Sequence, residues 1–341
     1  MGVVDVSVVV PTYNRAEMVC EAIESLVHQE TDSQFSFEIV VVDNASTDST
    51  KGAVQRVAEF SPIPIRYAFE EAAGDAHARN TGVKGARADW LAFLDDDEFA
   101  DKDWLRQLYF TALGQNALIV GGEVRLVLSD EQKRAFGRAL RKALRETQHG
   151  KDVVRRYTGG SLPAAGNMLV KRAVFDRVGL FDTSMLAGGS DSDLVLRARA
   201  AGYDLWYTPK AVVHHRVPPH RLTRAYLRWD SLRDGTTLAF LDYKFRGRGR
   251  VMFFCCARIG QALLVNLPQL FFAFLSGDDL RFLGRGSLLW RAVGYARECL
   301  FLFAPTLFPQ ERFFAALEFH SARKKFSGVS STTETSTLGN A

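Results

Sequence analysis

Four short apolar runs in the first hundred residues constrain this chain most. They are Asp5–Val10, Phe37–Val42, Ile65–Phe69 and Trp90–Leu94. The first two are rich in valine and isoleucine and too short for helices, so they read as buried strands. Between them lie segments with helical spacing: Ala16–Gln29, Ser49–Phe60 (capped by Thr47 or Asp48) and Asp75–Arg87. Strand and helix in alternation predict an α/β fold, with a mostly parallel sheet flanked by helices. Ligands of such sheets bind beyond the carboxyl ends of the strands. Pro11-Thr12, Asp43-Asn44 and Asp95-Asp96-Asp97 all fall at those ends.

Further along, 117–128 reads as a strand and Ser129–Arg145 as a charged helix. Leu162–Val170 and Ala211–Val217 read as strands flanking a helix over 191–201. After Pro219 the chain becomes helical and basic. Residues 221–258 carry nine Lys/Arg against three acids. From Val251 the chain is strongly apolar. Three organisations suit 251–275 and the second apolar stretch, 288–308. They are amphipathic helices on the cytoplasmic leaflet, a packed soluble subdomain, or true spans. Arg258 near the middle of a span would cost about 2.5–3.5 kcal/mol, which favours the surface-lying form. The expected division is 1–218 for binding and catalysis, 219–325 for the basic, apolar helical region, and 326–341 for a Ser/Thr-rich disordered tail.

The net charge of +4 is too small for a nucleic-acid coat, so no nucleic-acid partner is expected. Four cysteines without zinc-ligand spacing, and no visible signal peptide, predict reduced thiols in the cytoplasm.

Leu94-Asp95-Asp96-Asp97-Glu98 is the strongest chemical motif. Four consecutive acids repel one another, so a cation should neutralise them. Mg²⁺ or Mn²⁺ suits one or two carboxylates plus diphosphate oxygens. The alternative is a solvated acidic turn. Asp43 at its strand end can accept from a base or a ribose, while Asp48 suits a helix cap. Gly188-Gly189-Ser190-Asp191-Ser192-Asp193 brings carboxylates to a helix start, and Ser190-x-x-Asp193 also fits a capping box. Arg79 reads either as a diphosphate ligand or as a surface residue. His214 and His215, adjacent on a strand, point to opposite faces and cannot share one ion.

Together these residues resemble the family 2 glycosyltransferases. The resemblance runs in order through Val8–Arg15, Val41–Asp48, Ala78–Gly82 and Phe93–Glu98. It continues through Gly166-Asn167-Met168, Gly179–Asp182 and Asp191–Leu194 to the strand ending at His215. It implies the GT-A fold with a helical C-terminal extension. It also implies an inverting enzyme moving a sugar from a nucleotide diphosphate donor to an acceptor hydroxyl. Pro11, Thr12, Tyr13 and Arg15 would line the nucleotide pocket, and Asp43, with Asn44 beside it, would meet the base. Asp95 and Asp97 would form an Asp-x-Asp element with Asp96 between them. In that element Asp97 and His215 would take Mg²⁺ or Mn²⁺, Asp95 would face the ribose, and Arg79 would join the donor site. Asp191 would be the general base. Ser190 departs from the family's usual glutamate there.

The expected setting is cell-surface polysaccharide or glycolipid synthesis, with a carbohydrate or lipid-linked acceptor. The protein would be cytoplasmic and peripheral at the inner face of the plasma membrane, against anionic lipid. The competing readings are a sugar nucleotidyltransferase and an inactive nucleotide-sugar-binding membrane scaffold. The first lacks its Gly-rich basic loop, and a nicotinamide dehydrogenase is set aside for want of Gly-x-Gly-x-x-Gly.

Overall fold

A computed structural model describes residues 4–147, 153–185 and 188–308. The expected disordered tail, 326–341, lies outside them, as does the end of the helical region.

The strands are β1 (Val6–Thr12), β2 (Phe37–Asp43), β3 (Ile65–Phe69), β4 (Trp90–Phe93), β5 (Glu98–Ala100), β6 (Ile119–Val127), β7 (Arg155–Arg156), β8 (Met168–Lys171) and β9 (Leu205–Arg216). Their order is β3-β2-β1-β4-β8-β6-β9-β5, with β7 beside β9. The first four are parallel, as the sequence pattern predicts. The second half is mixed. β8 runs against β4 and β6, while β9 is parallel to β6 and antiparallel to β5 and β7.

Side chains alternate across the sheet. Val6, Val8, Val10, Ile39 and Val41 pack under α1 (Ala16–Val27) and α4 (Trp104–Gly114). Val9, Val40, Val42 and Phe93 pack under α3 (Asp75–Gly85), α7 (Arg172–Val178) and α8 (Ser190–Ala200). α3 lies close on β1 because residue 82 is glycine; a Cβ there would come within 2.3 Å of Val9 Cγ1. α2 (Thr50–Phe60) starts where expected, with Asp48 Oδ1 accepting from Thr50 N at 3.0 Å.

Two expectations are corrected. Ser129–Arg145 is two short helices, α5 (Asp130–Ala135) and α6 (Arg138–Ala143). Phe136 turns into the core with an extended backbone and Gly137 follows it, which ends the first helix. Leu162–Val170 is a strand only from Met168. Before it comes a 3₁₀ turn, Ala165–Asn167.

Asn167 ties that turn to its surroundings. Its Oδ1 accepts from Trp104 Nε1 at 2.8 Å, and its Nδ2 donates to Glu123 O and Ala211 O, both at 2.9 Å. All three partners are buried, and an unsatisfied buried polar group costs about 1–3 kcal/mol. Asn167→Ala is therefore expected to lower unfolding stability by about 3 kcal/mol or more, read by chemical denaturation. An unchanged midpoint would remove Asn167 from the supports of the fold.

After β9 come a 3₁₀ turn (Pro219–Leu222), α9 (Arg224–Gln261), a π-helical turn (Ala262–Asn266), α10 (Leu267–Leu275) and α11 (Asp279–Phe303). α9 breaks at Gly247, where φ is 78°. α9 and α11 pack backbone to backbone: a Cβ on Gly235 would lie 2.1 Å from Arg291 O, and one on Gly294 2.2 Å from Leu232 O.

Candidate active site

The ends of β1, β2 and β4 meet at one edge of the sheet. Thr12 pairs in register with Asp43. Its hydroxyl donates to Asp96 Oδ2 at 2.9 Å. Arg15 Nη1 lies 2.5 Å from Asp96 Oδ1 and 3.0 Å from Asp97 Oδ2. Pro11 and Tyr13 flank Thr12 on the same edge, each half-buried. Asn14, at φ 50°, links this loop to the next: its N–H donates to Ser46 Oγ, and its Oδ1 accepts from Thr47 N.

Asp43 is 2% exposed. It accepts from Ser46 N at 2.9 Å and from Tyr67 OH at 2.8 Å. Asn44 gives its amide to the neighbouring loop, donating to Ala72 O and accepting from Gly74 N. It therefore shapes the pocket wall around Asp43.

Arg79 is buried, which decides against a surface role. Its guanidinium reaches Asp75 Oδ2 at 2.7 Å and Asp95 Oδ1 at 3.0 Å. Burial opposes its charge, but Asp95, Asp75 and Asp191 outweigh that and hold its pKa above the ordinary value.

The acidic run is not a solvated turn: Asp96, Asp97 and Glu98 are all buried. The cations beside it are arginines, Arg15, Arg79 and a third that the sequence did not single out. This is Arg221, on the Pro219–Leu222 turn. Its Nη2 is 2.5 Å from Asp97 Oδ2 and its Nη1 is 2.6 Å from His215 Nε2. Glu98 faces His215 across β5 and β9. Burial pushes the Glu98 carboxyl upward, against the pull of His215. The two histidines diverge as expected, His214 pairing with Asp101 at 2.8 Å.

Among the described residues, no group of three or more His, Cys, Asp or Glu side chains is arranged to hold a metal alone. A Mg²⁺ or Mn²⁺ that takes most of its oxygens from diphosphate and water needs fewer. His215 Nδ1 and Glu98 Oε2 are buried without a hydrogen-bond partner. The nitrogen sits 3.6 Å from both Asp97 Oδ1 and Glu98 Oε1. Imidazole and carboxylate with an unmet buried polar atom between them fit a divalent cation.

Asp191 begins α8. Gly188 and Gly189 precede it at φ 85° and 90°, a backbone that side chains disfavour. The capping box is corrected. Gly189 is the N-cap, no side chain caps the helix, and Ser190 Oγ is buried without a partner. Asp193 instead binds Arg197 and Lys244, each at 2.7 Å. Asp191 Oδ1 accepts from Ser192 N at 2.7 Å, and Oδ2 from Ala165 N at 3.3 Å. On the other side of that turn, a Cβ on Gly166 would lie 3.0 Å from Asp95 Oδ2. Asp191 and the acidic run thus border the same turn.

α9 also reaches this loop. Thr237 Oγ1 donates to Gly188 O at 3.3 Å, and Lys244 Nζ holds Asp193.

Residues 7–179 match the family model described as glycosyl transferase family 2. Among curated proteins, the chain is 28% identical over 216 residues to glycosyltransferase AglE of Haloferax volcanii, covering 63% of this chain and 67% of that one. It is 28% identical over 228 residues to succinoglycan biosynthesis protein ExoM of Rhizobium meliloti, covering 66% and 71%. Among solved structures it resembles mannosyltransferase PcManGT from Pyrobaculum calidifontis, in complex with GDP-Man and Mn²⁺. That match has a TM-score of 0.58 at 22% identity, over 85% of this chain and 86% of that one, and it is a likeness of fold.

Proposed function

The chain belongs to glycosyl transferase family 2, and from that premise we propose that it is an inverting, divalent-cation-dependent enzyme. It moves a sugar from a nucleoside diphosphate donor to the hydroxyl of a lipid-linked or polysaccharide acceptor at the cytoplasmic membrane surface. The observation that carries this is the convergence of Arg15, Arg79, Asp95, Asp97, His215 and Asp191 on one turn at the edge of the sheet. A curated relative named for succinoglycan biosynthesis supports the polysaccharide setting. A structural neighbour held with GDP-Man and Mn²⁺ supports the donor and the cation.

Asp97 and His215 would hold the cation, which when bound supplies positive charge to the leaving diphosphate. Arg15 and Arg79 present guanidinium forks, whose geometry suits phosphate oxygens. Asp43 accepts from the base, and Pro11, Thr12 and Tyr13 form the rest of the nucleotide wall. Asp191 accepts the acceptor hydroxyl's proton at Oδ2, its less engaged oxygen. A single base acting opposite the leaving group gives displacement with inversion.

A thermal-shift screen of nucleoside diphosphates with and without Mn²⁺ tests the donor reading. One nucleotide should stabilise the protein selectively, and more so with Mn²⁺. At a hundredfold excess over Kd the gain is about 2.7 kcal/mol. Absence of any nucleotide response would end the proposal.

The membrane reading rests on α9's far end and α10. Arg224–Leu275 is the helical stretch, among the described residues, long and apolar enough to cross a membrane, yet little of it is buried in the protein. Phe253 is 69% exposed, Leu264 81% and Phe274 66%. Arg246, Arg248 and Arg250 lie beside the Gly247 break. Apolar side chains next to basic ones suit an anionic leaflet. Inserting a phenylalanine gains about 1.5–3 kcal/mol. Phe271→Ser/Phe272→Ser should therefore remain in solution when the parent protein floats with phosphatidylglycerol vesicles. Failure of the parent to float would end this part of the proposal. The division at residue 218 is proposed on the same ground: the first part carries the chemistry, and the rest carries the protein to its acceptor.

A further inference from the structure

We propose that Arg221 is a resident counter-ion which a divalent cation must displace, so that cation binding depends on the donor. This rests on the reading that Asp97 and His215 hold that cation.

The guanidinium touches the two residues assigned to the cation. One Nη lies 2.5 Å from Asp97 Oδ2, the other 2.6 Å from His215 Nε2. Arginine has only donors, so His215 Nε2 must accept, through the lone pair that a metal would use. One imidazole lone pair cannot serve both. Arginine and metal therefore exclude each other at Nε2, and they compete for the charge of Asp97.

Arg221 is also placed to leave. It sits on the short turn between β9 and α9, after Pro218 and Pro219. Its Nε is buried without a partner. The Tyr226 ring centroid is 6.0 Å from its Cζ, a second surface against which the cation can rest. Asp97 would keep a cationic neighbour after Arg221 moves, because Arg15 remains 3.0 Å away. Displacing Arg221 puts a guanidinium beside the incoming diphosphate, which suits its geometry. Cation and donor then assist each other: the donor gives Arg221 a new partner, and the cation takes the old one.

The test is Mn²⁺ binding to the full-length protein, followed by the electron paramagnetic resonance of free Mn²⁺. It is run without nucleotide, then with UDP and with GDP. Without nucleotide, Arg221→Gln should bind Mn²⁺ roughly 5–150-fold more tightly than the parent, the usual span of a coupling between sites. With the nucleotide that binds, the difference should shrink. Arg221→Lys, a single ammonium in place of a fork, should fall between them and guards against a folding defect in the glutamine variant. Equal Mn²⁺ affinity of parent and Arg221→Gln without nucleotide would overturn this proposal alone. Absence of Mn²⁺ binding in every protein, even with UDP and GDP, would overturn the Asp97–His215 site and this proposal with it.

Discussion

Asp191→Asn is expected to lower kcat by about 10²–10⁴, the range general-base catalysis supplies, with nucleotide affinity unchanged. The amide has nearly the shape of the carboxylate. Its oxygen can still accept a backbone N–H, as Asp191 does from Ala165 and Ser192. What it loses is basicity. It also loses a charge felt by Arg79, but Asp75 and Asp95 both still touch that guanidinium. Donor-side contacts should therefore survive. Single-turnover kinetics beside nucleoside diphosphate binding separate the two effects. Normal turnover would remove Asp191 as the base. Equal loss of turnover and nucleotide affinity would mean that the substitution had disturbed the pocket.

Asp97→Asn should abolish the dependence of rate on added Mn²⁺ or Mg²⁺. Turnover should fall by about 10²–10³, the scale of removing one preorganised electrostatic stabiliser. Asparagine is preferable to alanine. Asp97 is buried and contacts Arg15 and Arg221, and breaking a buried pair outright costs about 3–5 kcal/mol. Asparagine retains one acceptor oxygen and removes the charge. The measurement is a metal titration of initial rate, with a denaturation curve to show that the variant is folded. An unchanged titration would take Asp97 out of the cation site.

The first half of the fold was legible because its strands are nearly uniform in burial: β2 is buried throughout. Such runs have few other uses than the middle of a covered sheet. The antiparallel entry of β8 was not legible. Its direction depends on the Ala165–Asn167 turn, which Asn167 fixes through partners 44 and 63 residues away. The failed helix start at Ser190 has a similar cause. A Ser-x-x-Asp spacing reads as a cap, but two glycines at positive φ carry the chain into the helix one residue earlier and turn the serine inward.

In the site, the acids stood out because like charges in a row require an explanation. Their arginine partners did not. Arg221 lies in a block of nine basic residues that as a group resembled a surface patch, and only the turn after Pro219 singles it out. Glu98 was seen as the fourth acid of a run. Its distinct position, opposite His215 across two strands, needs the antiparallel register of β5 and β9.

The contact of α9 with the glycine loop has a consequence for how such a chain can change. The helix that holds Asp193 through Lys244 and the loop carbonyl through Thr237 runs on, past one glycine, into the apolar arm. Acceptor delivery and proton removal are thus joined by one rod. An arm borrowed from another protein would have to match the pitch and phase of that rod. Exchange of recognition regions between relatives should therefore succeed where the splice falls beyond Gly247 and fail where it falls at the end of the sheet.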